Sequence, residues 1–185
     1  MLTRRTVEGA VFFALFTACV PAANWLIQNV GTVCPPQSPC LIPVGFGIMA
    51  PSAVLVVGLA FVLRDLVQRR LGIAWSVAAI LIGAALSAFL APPALVIASA
   101  LAFLIAELAD LAVYTPLQRK NFISAVVASS FVGLVVDSVV FLSIAFGSLD
   151  FLTGQVIGKA WMVLLALPFV WWLRSRDARL GLAPA

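Results

Sequence analysis

Apolar residues run in long blocks along this chain, separated by short clusters of Gly, Pro and basic residues. The blocks cover about residues 7–27, 51–67, 73–90, 94–114, 122–146 and 151–173. Each comes close to the ~20 residues with which an α-helix crosses the hydrocarbon core of a bilayer. The first follows Met1-Leu-Thr-Arg-Arg, which resembles the start of a secretory signal, but its apolar run is too long for one. It is read as an uncleaved span, with Pro21 and Asn24 predicting a kink or irregularity near its far end. The pattern predicts an all-α polytopic protein: a bundle of six transmembrane helices forming a single domain over residues 1–185. Residues 31–47 carry Pro35, Pro36, Pro39 and Pro43 and no charge, and read as a loop, partly re-entrant at its apolar end.

Composition sharpens this picture. Of the 185 residues 64% are hydrophobic and 10% charged, where a soluble domain carries about 25% charged residues. The mean hydropathy is +1.18. A separate soluble domain does not fit. Arg4 and Arg5 precede the first span, Arg69 and Arg70 join the second to the third, Arg119 and Lys120 join the fourth to the fifth, and Arg174, Arg176 and Arg179 follow the sixth. The remaining three loops hold no Lys or Arg. By the positive-inside rule both termini are cytoplasmic, which places a multi-pass protein in the cell's inner (plasma) membrane. The Trp171-Trp172 pair before Arg174 fits an interfacial aromatic belt. The net charge of +4 arises from these span ends and calls for no nucleic-acid partner. There is no histidine, which removes His-based metal sites and general bases. No metal and no cofactor is expected. Cys19 lies in an apolar run and reads as a packing residue. Cys34 and Cys40 share one loop; a disulfide between them is permitted if that loop is extracytoplasmic, and the residues alone leave it open.

Seven ionisable residues depart from the apolar pattern: Arg64, Asp65, Glu107, Asp110, Asp137 and Lys159 inside spans, and Glu8 at a margin. Each costs roughly 2.5–3.5 kcal/mol at the bilayer centre on insertion scales, so such groups face a bundle interior, pair, or hold a polar solute. Glu107, Asp110 and Tyr114, at i, i+3 and i+7, share one helix face. They suit a solute rich in N–H groups or a proton relay, or else they neutralise Arg64 or Lys159 as structural pairs. Asp137 and Ser138, with Ser130 two turns earlier, form a second polar stripe, and by depth Asp137 and Lys159 can pair. Arg64 is placed either in the interior or snorkelling to the interface. Asn24 offers a donor and an acceptor, for a solute or for another helix. Ala10, Ala14 and Ala18 form a small-residue stripe open to an internal contact, a homodimer or an energising subunit. Asp65-Leu66 with Gln68-Arg69, and Asp110-Leu111 with Gln118-Arg119, are a faint internal echo with unequal spacing.

The stretches 58–72 (GLAFVLRDLVQRRLG) and 107–117 (ELADLAVYTPL), followed by Arg119, are joined by Ser129-Ser130-Phe131, Asp137-Ser138, Phe141, Ala145-Phe146, Gly158-Lys159 and Ala23-Asn24-Trp25. Together this ordered set resembles the queuosine precursor transporters, also called the vitamin uptake transporter family. The resemblance implies import of 7-cyano- and 7-aminomethyl-7-deazaguanine, precursors of a transfer-RNA modification. It carries over Asn24, Asp65, Glu107, Asp110, Asp137 and Lys159 as polar site positions. Arg64 belongs to only some members, and the chain is short for the family in its loops and C-terminal tail.

The chemistry of such a base agrees with these residues. A guanine-like edge offers a ring N–H and an exocyclic amine, which a carboxylate accepts. Its planar ring needs apolar or aromatic faces, which Phe131, Phe141 or Trp161 could supply. The expected function is therefore import of a small deazapurine base across a lipid bilayer by alternating access. The alternatives are a substrate-binding subunit of an ATPase-powered vitamin importer and, further off, an intramembrane enzyme. Against the enzyme stand the absent histidines and the lack of a cysteine pair inside any span. Energy source and oligomeric state are not legible in these residues.

Overall fold

A computed structural model of the chain describes residues 4–36 and 38–182; the opening Met1–Thr3 of the basic N-terminal segment lies outside them. Six helices appear in chain order: α1 (Arg4–Asn29), α2 (Val54–Leu71), α3 (Ile73–Leu90), α4 (Val96–Leu117), α5 (Phe122–Phe146) and α6 (Leu152–Leu180). A short 3-10 turn, Pro93–Leu95, leads into α4. The expected bounds hold at α3 and α5. α1 continues through Pro21 to Asn29, past the expected end at 27. α6 continues to Leu180, well past the expected end at 173, because its last turns are fastened to α2 by ion pairs.

α2 occupies the centre of the bundle. It touches each of the other five helices. From Ala60 to Arg70 every one of its residues is buried. Phe61, Leu66 and Val67 of α2 form the main core with Phe12 and Phe16 of α1, Ala106 and Tyr114 of α4, Leu134 of α5, and Val170 and Leu173 of α6. Encirclement explains how α2 tolerates Arg64, Asp65, Arg69 and Arg70: the other helices, not lipid, surround them. The same charges set α2 apart by composition. Among the described residues five helical segments are long and apolar enough to cross a membrane, and of α1–α6 only α2 is not. These five helices make the chain a multi-pass membrane protein. Only Gly72 separates α2 from α3; its φ of 90° suits glycine, and its N–H caps the carbonyl of Gln68 at 2.8 Å.

The loop at 31–47 differs from expectation. It contains a two-stranded antiparallel hairpin, β1 (Leu41–Gly45) and β2 (Ile48–Pro51), paired from Leu41↔Pro51 to Gly45↔Ile48 with an irregularity between Pro43 and Gly45. The turn runs through Gly45, Phe46 and Gly47, all at positive φ. The prolines hide the strand signal, yet Pro43 and Pro51 are tolerated because a two-stranded sheet is all edge. Val44, Ala50 and Val54 form a small second core with Ile42, Ile48 and Ile157. A disulfide joins Cys34 to Cys40. Cys40 N–H donates to Ile27 O at 2.8 Å and Ser52 Oγ to Leu26 O at 2.8 Å, which ties the hairpin to the end of α1. On α6, Gly154 lies under the Met49 carbonyl and Gly158 against Val54 and Val44, with no room for a side chain at either. Ala10, Ala14 and Ala18 face outward, exposed, on α1.

Candidate functional site

A cavity runs from the hairpin end of the bundle to its middle, lined by all six helices, with α3 contributing Ser87. Ile27, Pro51, Pro92 and Leu95 line its outer part. Glu107, Asp137 and Lys159 line it at its deepest level, with Phe61, Phe103 and Phe141 among its aromatic walls. Asn24, Ser99 and Gln155 add neutral polar groups along the way. Such a mostly apolar space with a few convergent polar groups is the usual form of a small-molecule site.

Lys159 is fully enclosed and its ammonium spends all three donors. Nζ donates to Asp137 Oδ2 at 2.6 Å, Gln155 Oε1 at 2.6 Å and Ser138 Oγ at 2.8 Å. Ser138 Oγ in turn donates to Leu134 O at 2.6 Å. The expected pairing of Asp137 with Lys159 is thus present. Gly58 allows it: a Cβ there would run into the backbone of Lys159, so α2 and α6 approach closely only because residue 58 has no side chain.

A second cluster surrounds Arg64, on the side of the cavity's deepest level away from the hairpin. Arg64 is 0% exposed, so of its two expected placements the interior one is found. Its guanidinium meets Asp65 at 2.8 Å, Asp110 in direct contact, and Glu107 at 3.4 Å through Nε. It donates to Gln68 Oε1 at 3.0 Å, and the Tyr114 ring lies 5.5 Å from its carbon centre. Ser129 Oγ donates to Asp65 Oδ2 at 2.9 Å. Glu107, Asp110 and Tyr114 share a buried face, as their spacing predicts. Of these three only Glu107 reaches the cavity; Asp65, Asp110 and Tyr114 pack behind it, around Arg64.

Two aromatic assignments need correction. Phe131 is 59% exposed on the outside of α5 and is absent from the cavity wall, because the inward stripe of that helix runs through Ser130, Gly133, Leu134, Asp137 and Ser138. Trp161 is 45% exposed and uses its indole N–H on Val44 O at 3.0 Å, steadying the hairpin. Phe61 and Phe103 are the wall residues that sequence reasoning missed. Gln155 was missed too, although it stands one turn before Lys159 on α6 and so was within reach of a spacing argument.

A third cluster lies at the opposite end of the bundle from the hairpin. Asp177 accepts from Arg69 at 2.9 Å and from Arg70 at 2.7 Å, and Glu8 accepts from Arg70 at 2.9 Å and from Arg176. Arg5 donates to Arg70 O at 2.9 Å, and the Arg69 guanidinium sits 4.0 Å over the Phe122 ring. Arg69, Arg70 and Arg176 were legible only as topology signals. The lone acid Asp177 among arginines was the clue to their pairing.

A family model described as "Putative vitamin uptake transporter" matches residues 85–173. The matched stretch holds Glu107, Asp137 and Lys159 but not Asn24 or α2, and over it the chain is similar to vitamin-type uptake transporters. No curated protein and no solved structure matches the chain.

Proposed function

We propose that this protein imports 7-deazaguanine bases, the cyano- and aminomethyl-substituted precursors of queuosine, across the inner membrane. The observation that carries the proposal is the cavity bounded at its deepest level by Glu107, Asp137 and Lys159 between aromatic walls. A planar base slots against Phe61, Phe103 or Phe141. Its carbonyl accepts from the Glu107 carboxyl, its ring N–H or exocyclic amine donates to the carboxylate of Asp137, and its cyano group meets the amide of Gln155 or Asn24. A neutral base pays far less to enter such a site than a nucleotide would. The residue resemblance and the family match both point to uptake rather than catalysis. We take all six helices as spans and both termini as cytoplasmic, on the distribution of Arg and Lys. The hairpin then faces outward and the Arg69–Asp177 cluster closes the cytoplasmic end. Alternating access requires that cluster to part while the hairpin end closes.

A second reading makes the chain the membrane-embedded binding subunit of an importer driven by a separate ATPase. The exposed Ala10, Ala14 and Ala18 face of α1 favours it, as a place for a partner helix to pack. Purified protein alone in liposomes separates the two. Uptake of labelled 7-cyano-7-deazaguanine is expected without any partner. Binding without uptake would move the chain to the second reading, and no binding at all would remove the substrate.

A further inference from the structure

Charge does not balance in the middle of this bundle. Lys159 and Asp137 cancel, but Arg64 alone faces Asp65, Glu107 and Asp110. The four residues of the Arg64 cluster are at most 2% exposed. Fully ionised, the cluster carries a net charge of two negatives in a buried space. Carboxylates that share so small a buried space do not all ionise; one of them keeps its proton. The contacts indicate which. Asp110 touches Arg64 directly, and Asp65 combines a 2.8 Å ion pair with a hydrogen bond from Ser129. Glu107 has only the 3.4 Å approach to Nε, the longest of the three contacts with Arg64. It is also the one carboxyl of the three that lines the cavity, where a proton can be exchanged.

The groups around Glu107 come from every helix packed there. From α2 it sees Arg64 and Asp65, from its own helix Asp110 and Tyr114, from α5 Asp137 and from α6 Lys159. Cys19 lines the same cavity from α1, and α3 carries no charged side chain. The Tyr114 hydroxyl, fully buried beside the cluster, has no hydrogen-bond partner among the described residues and so gives the carboxylates no compensating hydrogen bond.

We infer that Glu107 is a proton site and that the base binds to its neutral carboxyl, so that one proton enters with each base. A carboxylic acid presents one O–H donor beside one carbonyl acceptor. The lactam edge of a 7-deazaguanine presents one carbonyl acceptor beside one ring N–H donor. With Oε2 enclosed against Arg64, the other oxygen of Glu107 faces the base and carries the O–H that donates to the lactam carbonyl. An ionised Glu107 would oppose the lactam carbonyl with a bare oxygen and lose this hydrogen bond. Protonation of Glu107 and base binding therefore favour each other, which is the coupling a proton-driven importer needs. The proton comes from outside water by way of the cavity and leaves with the base when the cytoplasmic end opens. This deepens the proposed import of deazaguanines and rests on it for the identity of the base.

Affinity for 7-cyano-7-deazaguanine, measured on purified protein from mildly acidic to mildly basic conditions, tests the coupling. In the wild type it should fall by up to about tenfold per pH unit once Glu107 loses its proton. Glu107→Gln keeps a donor beside an acceptor, so its pH profile should be flat; Glu107→Ala should weaken binding at every pH. A flat wild-type profile, or an unchanged slope in Glu107→Gln, would overturn the proposal. Infrared difference spectroscopy on the same samples needs no substrate. The band of a protonated, buried carboxyl should be present in the wild type and lost in Glu107→Gln, while Asp137→Asn retains it. Absence of that band from the wild type would also overturn the proposal. Failure to bind the base at any pH, with the band present, would sink the substrate and leave the proton site standing.

Discussion

The two ionic clusters in the middle of the bundle lie on either side of one level and are built on different rules. Around Lys159, three donors meet three acceptors at 2.6–2.8 Å and one positive charge meets one negative. Around Arg64, one positive charge meets three carboxyl groups, and the Tyr114 hydroxyl, both oxygens of Asp110 and one each of Asp65 and Glu107 find no hydrogen bond among the described residues. The first is complete and resists change. The second is held short of completion and has room for a proton. A buried ion pair is a poor source of net stability, but breaking one is costly. The balanced cluster should therefore respond to mutation as structure throughout, and the unbalanced one as function at Glu107.

The largest effect is expected where balance is broken. Asp137→Asn or Lys159→Met each leaves a buried charge unpaired and should cost about 3–5 kcal/mol of stability. The double change removes both charges and should unfold at a higher temperature than either single variant. Strictly additive losses would show that the two residues do not support one another. Asp177→Ala comes next. It strips Arg69 and Arg70 of their shared acceptor at the far end of the bundle, where a charged hydrogen bond contributes about 1.5–3 kcal/mol. The last turns of α6 should then exchange their amide hydrogens faster than the rest of that helix. Unchanged protection would mean that this cluster does not hold α6 to α2.

The two clusters also differ in how far residues alone revealed them. Lys159 and Asp137 stand out as charges in apolar runs of similar depth, and their pairing follows from that. The Arg64 cluster was legible as a set of polar positions but not as an arrangement. Helical spacing put Glu107, Asp110 and Tyr114 on one face; which of them reached a cavity depended on where α2 and α5 lay. Phe131 shows the same gap. It sits beside Ser130 in the chain, yet one residue along a helix turns a side chain by about 100°. The spans were legible where apolar runs end in Gly, Pro or Arg, as at α3 and α5. They were not where side chains override those signals. Arg174 reads as a stop, but Asp177 pairs with the arginines of α2 and keeps α6 helical to Leu180. The hairpin escaped for the opposite reason, since four prolines in 31–47 outweigh the apolar residues at Leu41, Ile42, Val44 and Ile48.

The smallest effect sharpens the comparison most. Glu107→Gln replaces one buried carboxyl by an amide of nearly the same shape. If Glu107 is neutral, the change removes no charge from the cluster, and stability should shift by less than about 1 kcal/mol in either direction. Asp110→Asn, made beside it, removes the closest partner of Arg64 and should cost several times more. Thermal unfolding of both variants against the wild type checks the ordering. A loss in Glu107→Gln as large as that in Asp137→Asn would mean that Glu107 is an ionised partner of Arg64. The two clusters would then obey one rule, and the distinction between a fixed pair and a proton-carrying one would collapse. A near-zero shift, set against large losses at Asp110 and Asp137, would mark Glu107 as a carboxyl whose presence folding does not require. Its retention deep in a bundle, at the cavity wall, would then have to be explained by what the cavity binds.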